Sequence, residues 1–359
     1  MAEQSVKMLV DEEQQDTACP CCEQEDAPRL KPTARAESWL SSRGGVWAMR
    51  AKSLVRRPTL EVYSLEGEYG GDQLRMLVAD DGSTFQYFRS LAYSNEARVS
   101  RLGRISSVLA PRLAGENADI VVIGANQLLL GLYDRSVFHF APKWVRMFLP
   151  IWERPDVMLK SLPGSSRNSV ERMVRRAMKK GFDYEVTTDI RWFDRFYYEM
   201  YKPYVAHKYG DLAVLEGYSK IKRKFLQGAG LAVRHNGEDV GGVILAPAGS
   251  LLYFYRVGIM SGDDQLVKEG TSTALYYYTL LLAHSWGFSG VDFGHTRPFL
   301  SDGVLRYKMK WGMRVLGRDD CIGVFAIAAP TRSEAGARFL SENRFFHFTE
   351  SGVKLCDEY

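Results

Sequence analysis

The sequence predicts an α/β protein, of the α+β kind, made of two units in tandem, each a mixed, mostly antiparallel sheet flanked by helices. Three observations predict it. Alternating runs such as Leu60-Glu-Val-Tyr-Ser-Leu65 stand beside continuous β-branched runs such as Ile120-Val-Val-Ile123, the patterns of half-buried and fully buried strands. Apolar stripes at helical spacing fall between them, and both halves end in a comparable strand and loop. At 359 residues, 46% apolar and 25% charged, the chain is long enough for two cores.

Residues 1–57 have little hydrophobic periodicity and are expected to be disordered, an acidic leader followed by a basic linker. The first unit, 58–163, opens with strands at 60–65 and 73–79, the second running into an Asp81-Gly82 turn. Val99, Leu102, Ile105, Leu109 and Leu113 predict a helix over 94–113, and a buried strand follows at 119–124. Pro142, Pro150 and Pro155 make 138–162 a crossover rather than one helix.

The second unit, 164–350, starts with an amphipathic helix over 169–180 whose apolar stripe is Val170, Met173, Val174, Ala177 and Met178, closed by Gly181. An aromatic-rich helix over 192–209, kinked at Pro203, and a third helix over 215–226 come next. Strands at 231–235, 240–246 and 251–257, joined by Asn236-Gly237-Glu238-Asp239 and Pro247-Ala248-Gly249-Ser250, form an antiparallel meander. A loop over 258–270 leads into the strongest helix, where Leu275, Thr279, Leu282 and Trp286 share a face and Gly287 ends the run. The strand 291–293 follows, and 351–359 is a tail.

No segment approaches the roughly 18 apolar residues of a membrane span, and the leader lacks a secretory layout, so a cytoplasmic protein with no membrane partner is expected. Residues 1–26 hold one lysine against eight acids, leaving 46 basic against 35 acidic residues in the rest. That surplus suits a phosphate-bearing partner, a coenzyme or an RNA. Cys19, Cys21 and Cys22 are too closely spaced and one ligand short for structural zinc, so no metal and a solvated, redox-prone tail are expected.

Anion-gripping groups concentrate after the strand 291–293. Arg297, Arg306, Lys308 and Lys310, two guanidinium forks and two ammonium groups, are candidates to bind carboxylate or phosphate on a substrate. The alternative is a strand over 307–311 with lysines outward and aromatic residues inward. Arg256, on the same side as Leu252 and Phe254 by strict alternation, either contacts ligand or pairs with a buried acid. Arg167, Arg172, Arg175, Arg176 and Lys179 make the first helix of the second unit a candidate polyanion surface, against the reading of a solvated face.

The second unit resembles the GNAT acyltransferase domain, and in particular the FemAB-like and cellulose-biosynthesis-type acetyltransferase group. The resemblance lies in the basic helix over 165–181, Phe196-Tyr-Tyr-Glu-Met-Tyr-Lys-Pro-Tyr204, Val240-Gly241-Gly242, Gly270 with Leu275, and Asp292-Phe293-Gly294 through Tyr307-Lys308 and Trp311-Gly312. It implies paired GNAT-like units and transfer of an acyl group from an acyl thioester of coenzyme A, as co-substrate, to an amine of a small molecule or peptide. The alternatives are an aminoacyl-tRNA-dependent ligase, which takes tRNA as partner, and a silent scaffold that binds a peptide or protein.

In the GNAT pattern, donor pyrophosphate rests on a glycine-rich loop at the start of the long helix. Here the corresponding loop offers Lys268, Gly270 and Thr271, while Asp263, Asp264 and Glu269 would repel a pyrophosphate. Amide formation also needs an acceptor for the amine's proton, for which Asp302, His295 and Tyr204 are the candidates. Backbone N–H groups of the strand 251–257, where it would splay from 291–293, are placed to receive the oxyanion.

Overall fold

The computed structural model describes residues 28–32, 51–52, 54–55, 58–80, 84–93, 96–210, 213, 215–316, 323–349 and 352–355. The acidic leader, the three clustered cysteines, most of the basic linker, the Asp81-Gly82 turn and most of the tail lie outside the described residues.

The first sheet contains β1 (Thr59–Tyr69), β2 (Asp72–Asp80), β3 (Arg98–Ser106), β4 (Ile120–Ala125) and β5 (His139–Pro142), with helix α1 (Thr84–Tyr93) after β2. A sixth strand, β13 (Val324–Ala328), completes it in the order β3-β1-β2-β4-β13-β5. Pairing is antiparallel except for β2 with β4. Both faces are covered, which is why β4 is buried at every residue: Val122 and Ile120 join Phe88 of α1, while Val121 and Ile123 join Tyr133 and Phe138.

The second sheet contains β6 (Val145–Pro150), β7 (Asp183–Thr187), β8 (Ala229–His235), β9 (Glu238–Ala248), β10 (Leu251–Ile259), β11 (Gly290–Thr296) and β12 (Arg314–Val315), ordered β12-β6-β11-β10-β9-β8-β7. Its helices are α2 (Pro155–Lys160), α3 (Gly164–Lys179), α4 (Ile190–Arg195), α5 (Lys202–Tyr209), α6 (Tyr218–Phe225), α7 (Asp264–Glu269), α8 (Thr271–Ser285) and α9 (Gly303–Lys310). Helices α3 and α8 cover one face, with Leu231, Val243, Leu252 and Val291 beneath them. The aromatic helix covers the other, with Ile244 and Tyr255 beneath Phe193, Phe196 and Tyr201. Helix α10 (Glu334–Glu342) packs on the first sheet through Phe339 and Leu340, and β14 (Phe346–Thr349) pairs with β15 (Gly352–Leu355).

The meander, the long helix and the strand after it form as the pattern predicts, and two expectations, the helix over 94–113 and the boundary at 163/164, are corrected. The stretch 94–113 is not a helix: β3 pairs with β1 over 98–106, and the apparent helical stripe fails because Leu102 and Leu109 face solvent. The stretch 138–162 does cross between the sheets and is no continuous helix, and its prolines end two short strands, Pro142 closing β5 of the first sheet and Pro150 closing β6 of the second. The boundary at 163/164 does not divide the sheets, because β6 crosses into the second and β13 returns to the first.

Two local features shape the site. Between α4 and α5 the helix widens into a π-helical turn, Phe196–Tyr201, directly before Pro203, whose missing N–H prevents regular bonding there. A Cβ on Gly258 of β10 would lie 2.6 Å from the Tyr201 backbone nitrogen, so only glycine lets the turn press on the sheet. Upstream, Leu30 packs against the second unit's core, and Arg29 Nη2 donates to the Ser285 carbonyl at the end of α8.

Candidate active site

The strands β10 and β11 run parallel and pair only over Leu251–Tyr253 and Gly290–Asp292, then diverge. Beyond Tyr253, strict alternation also fails. Phe254 opposes Leu245 and Arg256 opposes Ile244, so Tyr255 is an extra residue, a β-bulge. The bulge turns Arg256 away from Leu252 and Phe254 to the face of Tyr253 and Tyr255, which corrects the expected orientation. Its guanidinium lies over the Tyr255 ring at 4.4 Å and pairs with Glu216 at 2.9 Å.

Glu216 was not singled out by sequence, yet it organises this face. Its carboxylate also accepts from Tyr255 Oη and pairs with Lys220, and its carbonyl accepts from Tyr197 Oη at 3.2 Å. Burial works to raise the Glu216 carboxyl, but Lys220, Tyr255 and Arg256 outweigh it and hold it below the usual carboxylate range. On the other arm of the divergence, Asp292 is fully buried and accepts from Arg146 Nε of β6 at 2.8 Å and from the Gly294 N–H at 2.9 Å. Arg146 lies 6.0 Å from the Tyr253 ring centre, so Asp292, Arg146, Tyr253, Arg256 and Glu216 form one run across the gap.

Lys308 fills the other side. The stretch 307–311 is helical rather than a strand, Asp302 capping α9 by accepting from the N–H groups of Val304 and Leu305, both at 2.9 Å. Lys308 points inward, 4% exposed, and donates to the carbonyls of Phe293 at 2.8 Å, Gly294 at 3.3 Å and His295 at 3.2 Å. Those acceptors belong to the stretch where β11 leaves β10, so the ammonium satisfies what the parallel ladder no longer can. Burial lowers its pKa to about 8, with Asp292 and Asp302 opposing.

The other predicted residues are placed as follows. Tyr204 is buried, accepts from Lys208 Nζ at 2.7 Å and is pushed up to about 12 by burial and by Asp264, so it stays protonated at neutral pH. Asp302 also accepts from Thr296 Oγ1 at 3.3 Å, and His295 is half-buried opposite Arg146. Arg297 is held between rings, 3.9 Å from Trp144 and 4.6 Å from Tyr87. Arg306 and Lys310 are exposed on α9, which packs beside α3.

The loop expected to cradle pyrophosphate is instead α7, whose first turn is capped by Asp263, accepting from the Gln265 N–H at 2.7 Å. Thr271 is buried and donates to the Leu266 carbonyl at 2.8 Å, closing the α7–α8 joint, while Lys268 is exposed. Gly270, at φ +123°, would bring a Cβ within 3.2 Å of Ala177, so α3 sits against the start of α8. Over the rest of its surface α3 presents Arg172, Arg175, Arg176, Lys179 and Lys180 around a hollow of about 500 Å³. None of these five forms an ion pair among the described residues, although Arg101, Arg195, Arg234 and Arg338 all do elsewhere. Arg167 is exposed at the start of α3 and donates to the Lys160 carbonyl at 3.2 Å.

The meander, the long helix and the diverging parallel pair belong to two mixed, mostly antiparallel sheets flanked by helices, an arrangement consistent with GNAT-like tandem units. Among solved structures the chain is similar to FemX (13% identity, TM-score 0.40, covering 84% of this chain and 93% of that one). It is also similar to L-PGS from Bacillus licheniformis (11%, TM-score 0.38, 82% and 95%) and to a GCN5-related N-acetyltransferase from Kribbella flavida (13%, TM-score 0.30, 79% and 93%). No protein-family model matches the sequence, and neither does any curated protein. No helix among the described residues is long and apolar enough to cross a membrane, and no group of three or more metal-ligating side chains occurs among them.

Proposed function

We propose that the protein forms an amide by moving an acyl or aminoacyl group from a phosphate-bearing donor to an amine, at the carboxyl ends of β10 and β11. The carrying observation is the cationic hollow on α3, lined by five cations that form no ion pair among the described residues. A surface that keeps its positive charges unpaired is suited to neutralising phosphates from outside. In this reading the divergence receives the reacting carbonyl. N–H groups of β10 beyond Tyr253 serve the oxyanion, and Lys308 supplies fixed positive charge beside it.

The RNA-borne donor is favoured over coenzyme A. Helix α7, with Asp263 and Asp264 at its start, replaces the open glycine-rich loop that a pyrophosphate needs. Exposed cations also continue from α3 onto α9 at Arg306 and Lys310, a spread that fits a nucleic-acid backbone better than one pyrophosphate. The acyl-CoA reading would use the same five cations for the coenzyme's phosphates. The acceptor is an amine on a small molecule or a peptide.

The test is binding of unfractionated tRNA by fluorescence anisotropy, followed by amide formation from aminoacyl-tRNA or acetyl-CoA with a panel of amines. About five phosphate contacts weaken binding on the order of a hundredfold between 50 and 200 mM salt. The variant R172E/R175E/R176E should lose that binding. Thiol release from acetyl-CoA without tRNA binding would move the assignment to the thioester. If neither donor is consumed while a peptide or protein partner still binds, the chain is a scaffold.

A further inference from the structure

An acyl group whose carbonyl lies between the diverging strands meets an aromatic floor on the α8 side. Phe254 of β10 and Phe293 of β11 pack there with ring centres 5.1 Å apart. Tyr276, on the second turn of α8, stacks on Phe293 at 4.7 Å and meets Phe254 at 5.2 Å. The Phe293 carbonyl is one of those that hold the Lys308 ammonium, so the floor adjoins the fixed charge. Hydroxyls gather on it. The Tyr307 ring of α9 meets Tyr276 at 5.1 Å, and its Oη lies 3.4 Å from Thr273 Oγ1, one turn back on α8. Tyr276 itself is 9% exposed, and its hydroxyl has no hydrogen-bond partner among the described residues. Burial, then the neighbouring phenols of Tyr307 and Tyr204, raise it well above the usual tyrosine range. At neutral pH it therefore keeps its proton, with one hydrogen to donate and lone pairs to accept. Leaving a nearly buried hydroxyl without a partner costs stability that phenylalanine at the same place would not, unless a ligand completes it.

We propose that Tyr276, with Tyr307 and Thr273 beside it, is the subsite that selects the acyl group, and that the group transferred carries a hydrogen-bonding substituent, an amine or a hydroxyl, next to its carbonyl. This rests on the reading that transfer occurs at the carboxyl ends of β10 and β11. The subsite takes no part in the bond exchange. The new C–N bond forms as the donor's ester C–O or thioester C–S bond breaks, and the leaving oxygen or sulfur takes up the proton that the amine gives up. What the subsite governs is choice. An acyl group that cannot pair with the Tyr276 hydroxyl covers it and leaves it unsatisfied, so the site discriminates against that group more strongly than by size alone.

The test offers the full chain donors that differ only in that substituent: alanyl, lactyl and propionyl groups, each on tRNA and on coenzyme A, with the panel of amines. The parent should prefer alanyl or lactyl over propionyl by on the order of a hundredfold in kcat/KM, and whichever leads tells whether the substituent is an amine or a hydroxyl. Tyr276→Phe keeps the ring contacts, so its urea melt should stay near the parent's while the donors come within about threefold of one another. Tyr307→Phe should narrow the preference in the same direction. Propionyl transfer as fast as alanyl and lactyl transfer in the parent, or a preference that survives both substitutions, overturns the subsite and leaves the transfer reading standing. No product from any donor on either carrier removes the transfer reading, and the subsite with it.

Discussion

A lysine with its three protons on the carbonyls of Phe293, Gly294 and His295 fastens the backbone, whatever else its charge does. The cost is a buried ammonium, and its titration makes that cost measurable. Lys308 is lowered by burial from 10.5 to about 8 in the folded chain. Between those values the unfolded chain binds more protons, so stability rises with pH across the window. The penalty is complete below about pH 8 and absent above about 10.5, and its size is on the order of 3 kcal/mol. Lys308→Met has no group to titrate there. Urea melts at pH 7.5 and 10 should show the parent gaining on this variant as pH rises; parallel pH profiles would refute a buried charge at Lys308. Because Lys308→Met also strands three buried carbonyls, it should be less stable than the parent at both pH values.

Among elements, legibility followed range. The turn of β8 into β9 was readable because Asn236 and Gly237, at φ 54° and 81°, are the residues a tight hairpin requires. The long helix and the basic helix were readable because their stripes are local. β3 was misread because spacing alone cannot say which face has a partner, and its partner β1 lies about 40 residues earlier. The pairing of Arg146 with Asp292, and of Arg256 with Glu216, spans distances at which no pattern in one sequence points from one residue to the other. The bulge at Tyr255 was invisible for a related reason, since it is set by the register against β9. The contact of the π-helical turn with β10 can be tested directly. Gly258→Ala drives a methyl against the backbone of Met200 and Tyr201, at 2.8 and 2.6 Å, and should cost about 2 to 4 kcal/mol in thermal or urea melts. Gly164→Ala, with nothing within 4 Å, is the control and should change stability by less than about 0.5 kcal/mol.

At the scale of the whole molecule, the exchange of strands joins the two units more firmly than a linker would. β6 leaves the first half to pair with β11 and β12, and it carries Arg146 to the buried Asp292. β13 leaves the second half to sit between β4 and β5, with Phe325 packed on Phe88. Arg297 adds a side-chain clasp between them, since Tyr87 belongs to α1 and Trp144 stands just before β6. A cut at 163/164 would therefore leave β4 and β5 without the strand between them, and Asp292 buried without its arginine. Removing one partner of a buried ion pair costs about 3 to 5 kcal/mol by itself, and each orphaned strand adds unpaired backbone to that. Fragments 1–163 and 164–359 should each be insoluble or lack a cooperative melt when made alone, and should recover a single transition when coexpressed. Two independent melting transitions in the intact chain, or a soluble, cooperatively folding 164–359, would mean that the sheets do not depend on the exchanged strands. In that case the divergence of β10 and β11 would have to be held by the second half alone.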